Sequence, residues 1–164
     1  MAFTRDQAYQ ALASLHPAPI FLESYRVRQL PENLDIYYRP PEEFFIAPDT
    51  QEAYTQGRLI PILDDGHFCE VLFLDPDTGA LLLIPVESPG EVRETFRHWQ
   101  QYLAELMARV GEMEESDDRI RQIADLVGFA HTKELFEYFD RVQSLSSDAW
   151  WEARHRFPLS ISVE

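Results

Sequence analysis

Leu59-Ile-Pro-Ile-Leu63, Asp64-Asp-Gly66, His67-Phe-Cys-Glu-Val-Leu-Phe-Leu74, Asp75-Pro-Asp-Thr-Gly79 and Ala80-Leu-Leu-Leu-Ile84 form one continuous stretch, and its reading decides the fold class. Three apolar runs are separated by two turn signals. Asp and Gly tolerate the positive φ that a tight turn requires. In the second turn, proline presets φ near ~−65° and glycine supplies the left-handed residue. Strand-length apolar runs joined by short turns predict an antiparallel meander over 58–86. The runs do not alternate cleanly between apolar and polar residues. The strands are therefore expected to be central, or covered at least partly on both faces.

Working outward, Thr4 and Gln7 have the spacing of a capping box, and Ala8, Leu12 and Leu15 follow on one helical face. Pro17 and Pro19 stop that helix. Ile20-Phe-Leu22 and Tyr25-Arg-Val27 read as short strands, and Pro31 suits a first helical turn. Glu42-Glu-Phe-Phe-Ile46 is too short for periodicity to separate strand from helix. On the other side, Ser88, Pro89 and Glu91 punctuate a helix start. Val92, Phe96, Trp99, Leu103, Leu106 and Val110 then make one apolar stripe, with Gly111 as its stop. Residues 112–118 carry five acids and no base, which reads as a solvated joint. Beyond it, Ser116 caps a helix that Gly128 ends, Thr132 caps another, and Asp148–Arg154 suggests a further helical turn. Leu159-Ser-Ile-Ser-Val163 alternates like a strand. The expected architecture is α+β, a mostly antiparallel sheet packed by helices with a helical C-terminal extension. Its domains are expected at 1–111 and 112–164.

The chain has 164 residues, with 29 acids against 14 bases and a net charge of −15. Its hydrophobic content of 45% is too high for wholesale disorder. The acidity argues against unaided nucleic-acid binding and against anionic membrane surfaces, since both need clustered Lys and Arg. A basic partner fits, and so does plain solubility. The single cysteine, Cys69, excludes an internal disulfide and a CxxC pair, and in its apolar run it reads as a small buried hydrophobe. The N-terminus lacks the pattern of a signal peptide, and the longest apolar run is too short to span a bilayer. A cytoplasmic protein is expected.

Several words in order resemble a known family: the Leu30-Pro31 element, Gly57-Arg-Leu-Ile-Pro-Ile-Leu-Asp-Asp-Gly66, Val71-Leu-Phe-Leu-Asp75, Thr78-Gly79 and Thr95-Phe-Arg-His-Trp-Gln-Gln-Tyr-Leu103. Over roughly residues 4–110 the chain looks like the SUKH superfamily, which includes fungal cell-wall-synthesis regulators and bacterial immunity proteins against polymorphic toxins. Where that family usually places a glycine soon after the Leu-Pro helix, this chain has Tyr37-Tyr-Arg-Pro-Pro41, and residues 112–164 have no counterpart. The resemblance implies an α+β domain that binds a protein and carries no catalytic residues.

Between Pro31 and Gly90 there are twelve acids and two bases, a net of −10. The resemblance together with this charge makes an immunity protein the expected function, since an acidic inhibitor can mimic the phosphates that a basic nuclease toxin must grip. Glu42, Glu43, Asp49, Glu52, Asp64 and Asp65 are the expected partner-binding residues. Trp150 and Trp151, beside Arg154-His155-Arg156, are a secondary interface candidate. An intracellular scaffold of the same family is the alternative. A small metal-dependent hydrolase on Asp64, Asp65 and His67 is a second, although Asp-Asp-Gly is also what a turn demands. No GxSxG, HExxH or phosphate-cradling glycine loop is present. No enzyme activity, cofactor or metal is expected. A protein partner is expected, without nucleic acid or membrane, and the chain is expected as a monomer or a homodimer.

Overall fold

The computed structural model describes residues 1–55 and 57–162. The chain groups into two compact units, Met1–Arg97 and His98–Glu164.

The first unit is α+β. Helices α1 (Arg5–Ala13) and α2 (Pro19–Glu23) lead to a 3₁₀ turn at Pro31–Ile36. Short helices α3 (Glu42–Ile46) and α4 (Glu52–Thr55) flank a second 3₁₀ turn at Pro48–Gln51. The strands β1 (Ile60–Asp64), β2 (Glu70–Leu74), β3 (Leu81–Pro85) and β4 (Glu94–Phe96) form one antiparallel sheet in the order β1-β2-β3-β4. The expected meander is therefore present, with a fourth strand added. The α1 capping box also forms, Gln7 N–H donating to Thr4 Oγ1 and Thr4 N–H to Gln7 Oε1.

Register explains a proline inside a strand. Pro61 pairs with Phe73 and Leu63 with Leu72, so Ile62 is an extra residue, a β-bulge on edge strand β1. Proline is tolerated there because an edge or bulge position needs no N–H for the ladder. The Tyr25 hydroxyl donates to the Ile62 carbonyl at 2.6 Å. Burial raises the Tyr25 phenol above its ordinary pKa. On β2, Val71 and Phe73 belong to a cluster with Phe44, Leu59 and Ile84, while Leu72 on the opposite face is equally buried. The absence of clean alternation reflects a strand buried on both faces.

Four readings are corrected in this unit. Ile20-Phe-Leu22 is helical because Pro19 occupies the first turn of α2, where its fixed φ starts a helix. Ser88–Arg93 forms no helix, and Phe96 lies in β4, paired with Leu81 of β3; Val92 is exposed. The free edge of β3 offers backbone partners that outweigh the local helix signals. The run from His67 is not strand until Glu70. Cys69 is exposed on the connecting loop, not buried, and the charges of Asp65, Glu70 and other nearby acids, with some desolvation, raise its thiol pKa.

The second unit is helical. It comprises α5 (Trp99–Met113), α6 (Asp117–Val127), α7 (Thr132–Val142) and α8 (Ser147–Ser160). Ser116 caps α6 and Gly128 ends it at φ 73°. The helix α5, carried with the first domain in the sequence reading, groups with these helices. Tyr102 through Ala108 are buried without a break, as expected of a helix enclosed on all sides. Gly111 is not its stop. It sits inside the helix, where a Cβ would overlap the Phe139 ring of α7. Leu159 and Ser160 end α8, not a strand, and Val163 lies outside the described residues. Gln100 binds the α6–α7 connection from both sides, donating to Gly128 O and accepting from Ala130 N–H, each at 3.0 Å.

One buried ion pair locks α8 onto α5. Arg154 grips Glu105 through Nη1–Oε2 at 2.7 Å and Nη2–Oε1 at 3.1 Å, and its Nε reaches Glu112 Oε1 at 2.5 Å. The Arg154 and Glu105 side chains are only 8% and 4% exposed.

Removing one partner of such a pair strands a buried charge. Arg154→Ala is therefore expected to destabilise the protein by ~3–5 kcal/mol in urea denaturation, and Arg154→Met with Glu105→Leu to recover most of that loss. Gly66 supplies a second prediction. At φ +89°, a Cβ there would lie 2.5 Å from Asp35 O and 2.6 Å from Ile36 O, whereas at Gly79 nothing lies within 4 Å. Gly66→Ala should cost ~3 kcal/mol or more and Gly79→Ala ~1 kcal/mol, read from the same denaturation curves.

Candidate functional site

The Asp-Asp-Gly segment is a turn held by its own carboxylates. Asp64 closes β1, and its N–H donates to Arg39 O at 2.8 Å. Arg39 Nε donates to both Asp64 oxygens, at 3.3 and 3.1 Å, while Arg39 Nη2 reaches Glu43 Oε1 at 2.7 Å. Gly66 N–H donates to Asp64 Oδ1 at 2.7 Å. The Asp64 side chain has no exposed surface. Burial raises its pKa to about 7, against the opposing pull of the Gly66 N–H and Arg39. Asp65 Oδ1 accepts from the N–H groups of His67 and Cys69, both at 3.1 Å.

Two of the three candidates for a metal hydrolase are thus committed elsewhere. Asp64 serves Arg39 and Asp65 serves the loop amides. His67 is exposed on that loop, not on a strand face opposite Glu70. Glu70 pairs with Arg93, whose Nη2 lies 3.2 Å from Glu70 Oε1. Among the described residues, no group of three or more His, Cys, Asp or Glu side chains is placed to hold a metal ion.

The other expected partner-binding acids are partly engaged as well. Glu42 accepts from Arg5 at 2.9 Å, and Glu52 lies 3.4 Å from the N-terminal ammonium. Asp49 is exposed on the Pro48–Gln51 turn. Arg39 joins Glu43 to Asp64, and no other pair of the six is brought together by these contacts. Asp64 cannot present its carboxylate to a partner, a correction to its expected role. Its burial was invisible in the sequence because Arg39, 25 residues away, is what permits it.

In the second unit, Trp150 is half-buried and meets Trp151 edge-to-face at 5.0 Å. Trp151 is 56% exposed and stacks on His155. The basic patch expected beside them does not exist as such, since Arg154 points inward and Arg156 pairs with Glu152 at 2.5 Å. A groove of about 510 Å³ opens between the end of α5, the start of α6 and α7. Ala108, Ile120, Tyr138 and Val142 form its buried floor. Glu112, Glu114, Glu115 and Asp117 line it, and among the described residues no Lys, Arg or His does. The acidic joint, read as solvated, is thus one wall of a groove. Its five acids were legible, but the packing of α7 against Gly111 was not.

No family model matches the chain, and comparison with curated proteins and with solved structures returns no match. No helix among the described residues is long and apolar enough to cross a membrane.

Asp64 makes a pH prediction. Its folded pKa lies above the ordinary carboxylate value of 3.8, so between about pH 4 and 7 the folded state holds the proton that the unfolded state has released. Its stabilising contribution is therefore present at low pH and lost as pH rises through 7. Arg39, Glu43, Asp65 and the Gly66 N–H are the groups that face it. The stability of the wild type minus that of Asp64→Asn, from urea curves at pH 4.5 to 7.5, should fall with pH, by at most ~1.4 kcal/mol per unit.

Proposed function

We propose that this chain is a partner-binding protein for a basic protein, acting as an immunity protein does when it neutralises its cognate toxin. The observation that supports this reading is the pairing of six of the 14 bases with carboxylates of the chain itself. Arg5, Arg39, Arg93, Lys133, Arg154 and Arg156 are all engaged by carboxylates of the same chain. With 29 acids and 14 bases, the surplus of negative charge is carried outward. An uncompensated negative surface attracts a basic partner, speeds its encounter and repels nucleic acid. The likeness of residues 4–110 to the SUKH superfamily supports a binding role for the same chain. A nuclease-type toxin, basic because it grips phosphate, is the partner class that fits. Action in the cytoplasm, where such a toxin would meet its target, belongs to the same proposal.

The test is calorimetric titration with the product of the adjacent gene. A complex with Kd in the nanomolar range at low salt, weakening by at least ~100-fold between roughly 50 and 300 mM NaCl, is expected. A complex insensitive to salt contradicts the charge argument. Recovery of housekeeping proteins alone in pull-downs from the native cell favours the scaffold reading instead.

A further inference from the structure

The surplus charge is not the whole of the recognition chemistry, because one acid-lined depression also has an apolar floor. The groove of about 510 Å³ in the second unit falls within the size range of pockets that take side chains or small ligands. Its base is apolar and aromatic: Ala108 on α5, Ile120 on α6, and Tyr138 and Val142 on α7. Phe139 and Trp150 are half-buried at its sides, and Leu145 remains 37% exposed at its mouth. Leu145 alone would mean little, since isolated apolar residues are common on surfaces. Here it continues a concave apolar surface.

The rim fixes the sign of the occupant. Four carboxylates line the groove, with no base beside them among the described residues. Glu112 is engaged by Arg154, but Glu115 and Asp117 are exposed and make no ion pair among the described residues. A second copy of this chain, itself at −15, is repelled. Nucleic acid is repelled for the same reason. An apolar floor beneath a carboxylate rim is complementary to an amphipathic helix whose polar face is basic, the helix-in-groove mode of recognition.

We infer that this groove docks a basic amphipathic helix of the partner protein, its apolar side chains on the exposed parts of Phe139, Leu145 and Trp150 and its Lys or Arg side chains on Glu115 and Asp117. The inference rests on the partner-binding reading above and names the surface that carries it. Its apolar anchors supply affinity, and the rim supplies encounter rate and discrimination.

The test uses the full chain and an amidated peptide of about 18 residues, a length of roughly five helical turns, with Leu on one face and Lys on the other. Binding is followed by calorimetry and by amide chemical shifts at about 100 mM salt. Glu115→Lys with Asp117→Lys is compared with Asp77→Lys and Glu91→Lys, an equal charge change at exposed positions of the first unit. Expected are shifts centred on residues 108–120 and 138–145, a loss of at least ~10-fold in affinity for the groove variant, and less than ~3-fold for the control. A peptide with Ser in place of Leu should bind at least ~10-fold more weakly. Equal losses in both variants, or unchanged binding of the Ser peptide, overturn the groove while leaving the basic-partner reading intact. No peptide binding at all also overturns the groove, and the adjacent-gene titration then judges the broader reading separately.

Discussion

Each compact unit is organised about one arginine that holds two carboxylates. Arg39 joins Glu43 of α3 to Asp64 at the end of the edge strand β1, and Arg154 joins α8 to Glu105 and Glu112 of α5. A guanidinium suits this work because its rigid fork presents five donors and stays charged at any physiological pH. Three of the four pairs span 25, 42 and 49 residues, so they fix tertiary rather than local structure. Their net contribution is smaller than the cost of breaking them, since desolvation offsets most of the attraction. What they determine is arrangement: the position of the loop at Gly66, and the seating of α8 beside the groove.

The same arrangement governs the outer charge. A chain with 29 acids and 14 bases keeps a surplus of negative charge however its ion pairs are arranged. Engaging Arg5, Arg39, Arg93 and Arg154 internally leaves Asp49, Glu115 and Asp117 among the acids at the surface. Charge that seemed spread along the sequence divides into a structural share and an outward one. Only the outward share is open to a partner.

Local signals in the sequence were sound where no distant partner competed. The capping box at Thr4 and Gln7, the Asp75–Gly79 turn and the Ser116 cap are all present, each depending on residues a few positions apart. Two of the failures share one cause. Ser88-Pro-Gly-Glu91 imitates a helix start, yet the unpaired edge of β3 draws Glu94–Phe96 into the sheet. Gly111 looks like a stop until Phe139, 28 residues on, is seen to need its missing side chain. The acids of the candidate site were legible as residue types. Which of them would be buried, paired or exposed depended on arginines far away in the chain.

On the proposed partner-binding reading, function turns on the acids the structure leaves outward, and most of all on those above an apolar floor. Hydrogen–deuterium exchange of the full chain, alone and with the basic product of the adjacent gene, tests this most directly. Protection concentrated in residues 108–120 and 138–145, with 1–97 little changed, is the expected result. Protection confined to residues 1–97 would contradict it.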